Sequence, residues 1–289
     1  MKNLIPIFLL ISAVIFAQNQ RFIYEYKFQL DSTNAESAKT EMMFLDVTPQ
    51  SSRYYSYDTY KQDSIRYADF EKQIRTTGAM KVVTTTVQKG FVRYSVSKTY
   101  PDFKTYLHTR VGPDAYKVFD QTPMNWKIEN EKQKIGEFDA QKATTFYQGR
   151  KWTALFAPEI PLQDGPYKFH GLPGLIVKVY NDNQTHVMEL KAVKKNDNPV
   201  DFTKGSLTFS NKEMDVDYKT FAKLYKENRN DPGKSMRQMM SSGQIRDVRD
   251  ANGNPLDMAK MVRDMERNAA ERNKKDNNQI DLSLLKIKK

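Results

Sequence analysis

The chain has 289 residues, 46 Lys+Arg against 35 Asp+Glu for a formal charge of +11, and 39% hydrophobic and 12% aromatic content. That is material for one large or two modest domains with a real core, and too apolar for wholesale disorder. The absence of cysteine excludes disulfide scaffolds, thiol nucleophiles, cysteine-ligated zinc and iron–sulfur clusters, and three histidines (His108, His170, His186) leave little for a histidine-rich metal centre.

Residues 1–17, MKNLIPIFLLISAVIFA, have the three-part shape of a cleavable secretory signal: Lys2, an apolar stretch, then small Ala17 ahead of polar Gln18, Asn19 and Gln20. The apolar run is broken by Pro6 and Ser12 and is shorter than the roughly 20 residues a membrane-spanning helix needs. Cleavage after Ala17 is therefore expected, giving a mature chain in the periplasm or outside the cell with no transmembrane span. No cysteine follows the apolar core to carry a lipid anchor.

From 18 to 210 the pattern is that of an antiparallel β-rich domain. Phe22, Tyr24, Tyr26, Phe28 and Leu30 alternate with polar residues and predict a strand at 21–30. Tyr54, Tyr55, Tyr57 and Tyr60 form a tyrosine-rich stretch suited to a strand, or to stacking on a ligand such as a sugar. Met80–Val87 and Phe91–Val96 flank Gln88-Lys89-Gly90 as a hairpin, and shorter strands are expected at 105–111, 115–120 and 125–129. Phe138–Tyr147 and Lys151–Phe156 predict a second hairpin across Gln148-Gly149-Arg150. Leu175–Tyr180 and Thr185–Val193 predict a third across 181–184. Strands joined by tight turns pair antiparallel. The expected fold is mainly β (α+β): a curved antiparallel sheet, barrel or half-barrel, with C-terminal helices packed against it.

Beyond 210 only Tyr218, Phe221 and Tyr225 are aromatic, and the 211–289 part reads as helical. Tyr218, Phe221, Leu224 and Tyr225 repeat at helical spacing until Asn228–Gly233 stops the helix. Asn254-Pro255 offers an N-cap and an N1 proline for a last helix, with Leu256, Met258, Met261, Val262 and Met265 on one face and fraying from about Asn273.

Residues 149–176, GRKWTALFAPEIPLQDGPYKFHGLPGLI, concentrate the turn-forming residues. Leu172-Pro173-Gly174-Leu175 has the residues of a type II turn, and Pro158, Pro161, Pro166 and Pro173 restrict the path before it. One reading is a rigid loop that crosses or plugs the sheet and buries Phe169, Leu172 and Leu175. The other is a preorganised rim that turns Glu159, Asp164, Tyr167, Lys168, His170 and Leu172 towards a ligand.

This stretch closely resembles the GLPGLI family of exported proteins from Bacteroidetes, named for the hexapeptide at Gly171, Leu172, Pro173, Gly174, Leu175 and Ile176. The resemblance rests also on Gly149-Arg150, Pro158–Pro161 and Gly165–Phe169, and extends more weakly to 138–147, 175–193 and 279–282. Ala140 stands where many relatives have cysteine, so no thiol-dependent role carries over. The resemblance implies an envelope or secreted protein and no named reaction.

Constellations for other chemistry are sparse. There is no G-x-S-x-G elbow, no H-x-x-x-H or H-E-x-x-H spacing and no RNP or zinc-finger motif, which gives no metal site, no cofactor and no nucleic-acid partner. His108 and His186 lie within strand patterns, where a cross-strand role is usual. Met236, Met239, Met240, Met258 and Met261 have a spacing that soft copper accepts, and helical packing explains the same pattern. The leading function is a non-catalytic binding or assembly component of the cell envelope, with an apolar ligand or an envelope protein as partner at a groove near 158–176. The alternative is a hydrolytic or metal-dependent periplasmic enzyme using His170 with Glu159 or Asp164.

Overall fold

A computed structural model of the protein describes residues 19–77, 90–197, 213–243 and 256–285. The expected signal with its cleavage point at Ala17, the strand at Met80–Val87 and the Asn254-Pro255 helix start lie outside the described residues.

Two antiparallel meanders build the sheet. The first runs through β1 (Gln20–Gln29), β2 (Ala38–Val47), β3 (Ser51–Ser56), β4 (Ser95–Thr99), β5 (Lys104–Val111) and β6 (Asp114–Phe119). The second runs through β7 (Lys127–Ile135), β8 (Phe138–Tyr147), β9 (Arg150–Ala157), β10 (Leu175–Asn181) and β11 (His186–Lys195). They are joined where β1 pairs with β11, from Gln20 opposite Lys195 to Phe28 opposite His186. A short β12 (Met214–Asp217) adds parallel to β6, giving the order β12-β6-β5-β4-β3-β2-β1-β11-β10-β9-β8-β7.

The protein is thus mainly β with C-terminal helices, but among the described residues the sheet is open and does not close into a barrel: β7 and β12 are the two ends of the order. The reason is legible in β7, whose KIENEKQKI sequence is exposed along nearly its whole length and resists burial or pairing of a further strand. The sheet nevertheless curls. β6 and β7 stand ten places apart, roughly 48 Å along a sheet with about 4.8 Å between strands. The chain from Phe119 to Lys127 spans eight residue steps, about 29 Å when fully extended. A flat sheet cannot be bridged by that connection. Phe22, Tyr24, Tyr26 and Phe28 of β1 point to the concave side with Met43, Leu45, Tyr54, Val96, Trp152 and Val179, and form the core.

Several local expectations are corrected. The tyrosine-rich stretch divides: Tyr54 and Tyr55 belong to β3, whereas Tyr57 and Tyr60 open a 21-residue helix, α1 (Tyr57–Thr77). The Ser56 hydroxyl accepts the Thr59 N–H at 3.1 Å and caps this helix, so the 18–210 part is not strands alone. Phe91 and Val92 leave the ladder because their N–H groups donate to the buried Glu41 carboxylate at 2.7 and 3.1 Å, and β4 starts only at Ser95. The β8–β9 loop has two residues, Gln148 and Gly149, both with positive φ, and Arg150 already pairs with Tyr147.

In the C-terminal part, α2 (Tyr218–Asn230) is capped by Asp217 and buries Phe221 against β5 and β6. It is followed by α3 (Lys234–Ser241), which carries Met236, Met239 and Met240, and α4 (Met258–Lys275). The α4 cap is Asp257, whose side chain accepts the Lys260 N–H, and the helix continues two residues past Asn273. Val262 and Ala269 are its buried residues, while Met261 is exposed.

Candidate functional site

Residues 158–174 leave β9, cross the concave face of the sheet and return as β10. Phe169 is the centre of this crossing, with its ring 4.8 Å from Trp152 and 6.0 Å from both Tyr147 and Tyr167. Phe169, Leu172 and Leu175 are fully buried. Two buried ion pairs fasten the segment at separate points.

The first is Lys98 of β4 with Asp164, at 2.5 Å and with both side chains 0% exposed. Lys98 Nζ also donates to the carbonyls of Gly165, Tyr167 and Phe169 at 2.7, 2.9 and 3.4 Å. Alternate residues can aim carbonyls at one atom because the chain winds around it, with Tyr167 at φ +53°. Asp164 is equally saturated: it accepts from Gly165 N, Ser52 Oγ and the Tyr100 hydroxyl besides Lys98. Burial lowers the Lys98 pKa and the Asp164 carboxylate opposes that shift.

The second pair is Lys168 with Asp120, at 2.5 Å. Asp120 also accepts from Gln148 Nε2 at 2.9 Å and from Thr122 N and Oγ1 at 3.0 and 2.6 Å. Burial alone would raise its pKa, but Lys168 and the Thr122 donors outweigh burial and hold it below the usual carboxylate range. The Lys168 ammonium lies over the rings of Tyr167 and Tyr218 at 5.3 and 5.5 Å.

The hexapeptide departs from the type II turn. Gly174 N donates to Leu172 O at 2.8 Å in a three-residue turn, while Leu175 N is drawn to Ile160 O at 3.0 Å. The glycine answers a close approach, since a Cβ at 174 would lie 2.3 Å from Ala157 O. Gly149-Arg150 and residues 279–282, the outlying parts of the resemblance, meet in space. Arg150 donates to Asn278 Oδ1 at 2.7 Å and to the Gln279 and Ile280 carbonyls, sewing the C-terminal strap onto the sheet.

Of the six residues expected on a ligand-facing rim, Asp164, Tyr167, Lys168 and Leu172 are inside the protein. They hold the segment in place. His170 is half-buried and stacks on Phe103 with ring centroids 5.0 Å apart and planes 4° from parallel. Its Nδ1 donates to Lys168 O at 2.8 Å, and burial, with help from Lys98, lowers its pKa. No hydrogen bond joins His170 to Glu159 or Asp164 among the described residues. Glu159 is exposed, accepts the Asp139 N–H at 3.2 Å and borders a groove.

That groove, of about 600 Å³, lies between the 159–163 limb, the 100–103 turn and the neighbouring ends of β1, β2 and β11. Its walls are chiefly apolar, with Phe22, Val47, Phe103, Ile160, Leu162 and Val193, and Glu159 is the charged residue lining it. Residues 159–163 form one wall of it, and its other walls come from parts of the chain that the sequence reading did not connect with that segment. The signal for Lys98 was available, because it shares the inward phase of Val96. Among the described residues no three His, Asp or Glu side chains gather as a metal site, and no helix is long and apolar enough to cross a membrane.

Fold and site together define a mainly β protein whose open sheet is spanned on its concave side by an ion-paired segment with an apolar groove at its edge. No family model matches the chain, and no curated protein matches it. Among solved structures, PNGF-II in two crystal forms is similar at TM-score 0.48 and 15% identity. The similarity covers 72% of this chain and 33% or 32% of PNGF-II, so the chain spans about a third of the length of those structures.

Proposed function

We propose that the protein is an exported member of the GLPGLI family that acts in the cell envelope as a binding component, taking an apolar ligand, without chemistry at that site, into the groove beside residues 158–163. The observation that carries this reading is the groove itself. Its volume of about 600 Å³ is that of a small-molecule site, and its outer wall is held in advance by Pro158, Pro161 and the saturated Asp164 anchor. Little chain entropy remains to be lost on binding. A ligand would lose water against Phe22, Phe103, Leu162 and Val193 and be oriented by Gln20, Gln163 and Glu159 at the border. The Glu159 carboxylate disfavours an anionic ligand there.

The alternative enzyme built on His170 has less support, because four donors already occupy the Asp164 oxygens. Fluorescence titration with N-phenyl-1-naphthylamine tests the groove. Val193 lines it and is 44% exposed, so Val193→Asp brings a carboxylate to the apolar wall without touching the core. Affinity is expected to drop at least tenfold, about 1.4 kcal/mol, with the melting temperature unchanged. Equal affinity in the variant refutes the groove as the site. Export is tested separately by N-terminal sequencing of the protein released outside the cytoplasm, which should begin at Gln18.

A further inference from the structure

The outer face of the sheet carries a constellation that the groove does not use. In the β4–β5 ladder Ser95 stands opposite His108 and Ser97 opposite Tyr106, so Ser97 and His108 are diagonal neighbours on the face away from Lys98. Ser97 Oγ lies 2.8 Å from His108 Nε2. On the other side of the ring, His108 Nδ1 lies 2.9 and 3.1 Å from the two carboxylate oxygens of Glu213, the residue that leads into β12. The parallel pairing of β12 with β6 is what brings this carboxylate from a distant part of the chain to the imidazole.

The order of these hydrogen bonds follows from the groups. An ionised carboxylate only accepts, so His108 Nδ1–H donates to Glu213, which fixes the tautomer. Nε2 is left with its lone pair towards Ser97, whose hydroxyl must donate. This is the arrangement of nucleophile, base and positioning carboxylate used in acyl transfer. The protonation states agree with it. Burial, reinforced by Arg53 and Lys117 and opposed by Glu213, lowers the His108 pKa and keeps the ring neutral. Burial would raise that of Glu213, but His108, Arg53 and Lys117 together hold it down and ionised. His108 is 9% exposed, while Ser97 and Glu213 remain open to solvent. Arg53 stands opposite Ser97 on β3, its guanidinium bonded to Ser95 Oγ at 2.7 and 3.2 Å, and Lys117 stands opposite His108 on β6. These cations flank the pair and favour negative charge on an oxygen beside it.

We propose that Ser97, His108 and Glu213 form a serine-type hydrolytic site that cleaves esters presented to the outer face of the sheet. Ser97 Oγ bonds to the ester carbonyl carbon as its proton passes to His108 Nε2. The bond from that carbon to the alkoxy oxygen then breaks, the alcohol leaves with the proton, and the acyl group remains on Ser97. Water next gives a proton to His108 and its hydroxide to the acyl carbon; the carboxylic acid leaves and the proton returns to Ser97 Oγ. Ester and water are consumed, acid and alcohol are formed, and the protein is unchanged.

A fluorophosphonate–biotin probe tests the site directly. Peptide mapping of the labelled protein is expected to place the adduct on Ser97, and Ser97→Ala is expected to abolish it. His108→Gln and Glu213→Gln, checked for an unaltered melting temperature, should slow labelling at least ~10-fold. Hydrolysis of p-nitrophenyl acetate should follow the same pattern, with kcat/KM rising through an apparent pKa below 6.5 in the native protein and losing that rise in His108→Gln. Absence of an adduct at Ser97, or equal labelling in His108→Gln, overturns the proposal.

Discussion

Replacing Asp164 by alanine removes the carboxylate from a site where the Lys98 ammonium stays enclosed by protein. Both side chains are 0% exposed and 2.5 Å apart, so the ammonium is left inside the protein without its counter-charge. Breaking a buried pair by removing one member costs about 3–5 kcal/mol, and Ser52, Tyr100 and Gly165 lose an acceptor as well. The three carbonyls that remain around Lys98 keep the cost towards the lower part of that range. For a chain of this size each kcal/mol moves the melting temperature by about 2–4 °C, which gives a drop of roughly 10 °C, readable by calorimetry or by the fluorescence of buried Trp152. Lys98→Met combined with Asp164→Leu should cost clearly less than the sum of the two single changes, because the double variant leaves no unpaired charge inside. The pH dependence has a definite sign. Burial lowers the Lys98 pKa in the fold below the ordinary 10.5, so between those values the unfolded chain binds more protons and stability rises with pH. Asp164→Ala lowers the folded value further and should gain more from alkaline pH than the native protein does. A loss below about 1 kcal/mol in Asp164→Ala, or strictly additive single and double variants, would show that the pair does not fasten the crossing segment.

His186 gives the opposite end of the pH range. Burial, reinforced by Arg150, depresses its pKa from 6.5 to about 3, so the unfolded chain binds the extra proton and stability falls as pH drops through that interval, by up to about 1.4 kcal/mol per pH unit. Urea midpoints at several pH values should show a shallower acid dependence in His186→Gln; an identical slope would refute the assignment. The hexapeptide glycines should rank by mechanism. Gly174→Ala drives a Cβ to 2.3 Å from Ala157 O and should cost about 1–3 kcal/mol or more. Gly171→Ala meets open space and bears only the strain of φ +90°, about 1–2 kcal/mol. Melting temperatures in the reverse order would be wrong for this packing.

The hairpins at 138–157 and 175–195 were legible because alternation and turn residues act over a few positions. The first strand was legible for the same reason: Phe22, Tyr24, Tyr26 and Phe28 repeat every second residue. Helix α1 was lost because tyrosine satisfies a strand as well as a helix, and the deciding feature was the single Ser56 cap. The path of 158–174 was legible as a crossing, since prolines and glycines report backbone geometry. Its fastening was not: Lys98 and Asp164 are 66 positions apart, and nothing local in either stretch announces the other. The same holds for Ser97, His108 and Glu213, which only the ladder of β3 to β6 with β12 brings together. The openness of the sheet goes with the polar sequence of β7, which reaches beyond the short strand expected at 125–129.

The position of β1 sets the order in which this protein can be completed. It is the first strand of the sheet to leave the ribosome, yet one of its two partners, β11, ends at Lys195 and closes the second meander. A nascent chain can zip β1 to β2 early, but the other edge of β1, with Phe22, Tyr24 and Tyr26 beside it, waits for some 160 further residues. Contacts of such sequence separation make folding slow and leave a pairing-competent edge open meanwhile. Chains halted before residue 186 lack the strand that covers this edge and leave it open to pairing with other chains. Completion of the sheet therefore waits for β11, a constraint that the topology itself places on the protein's biogenesis.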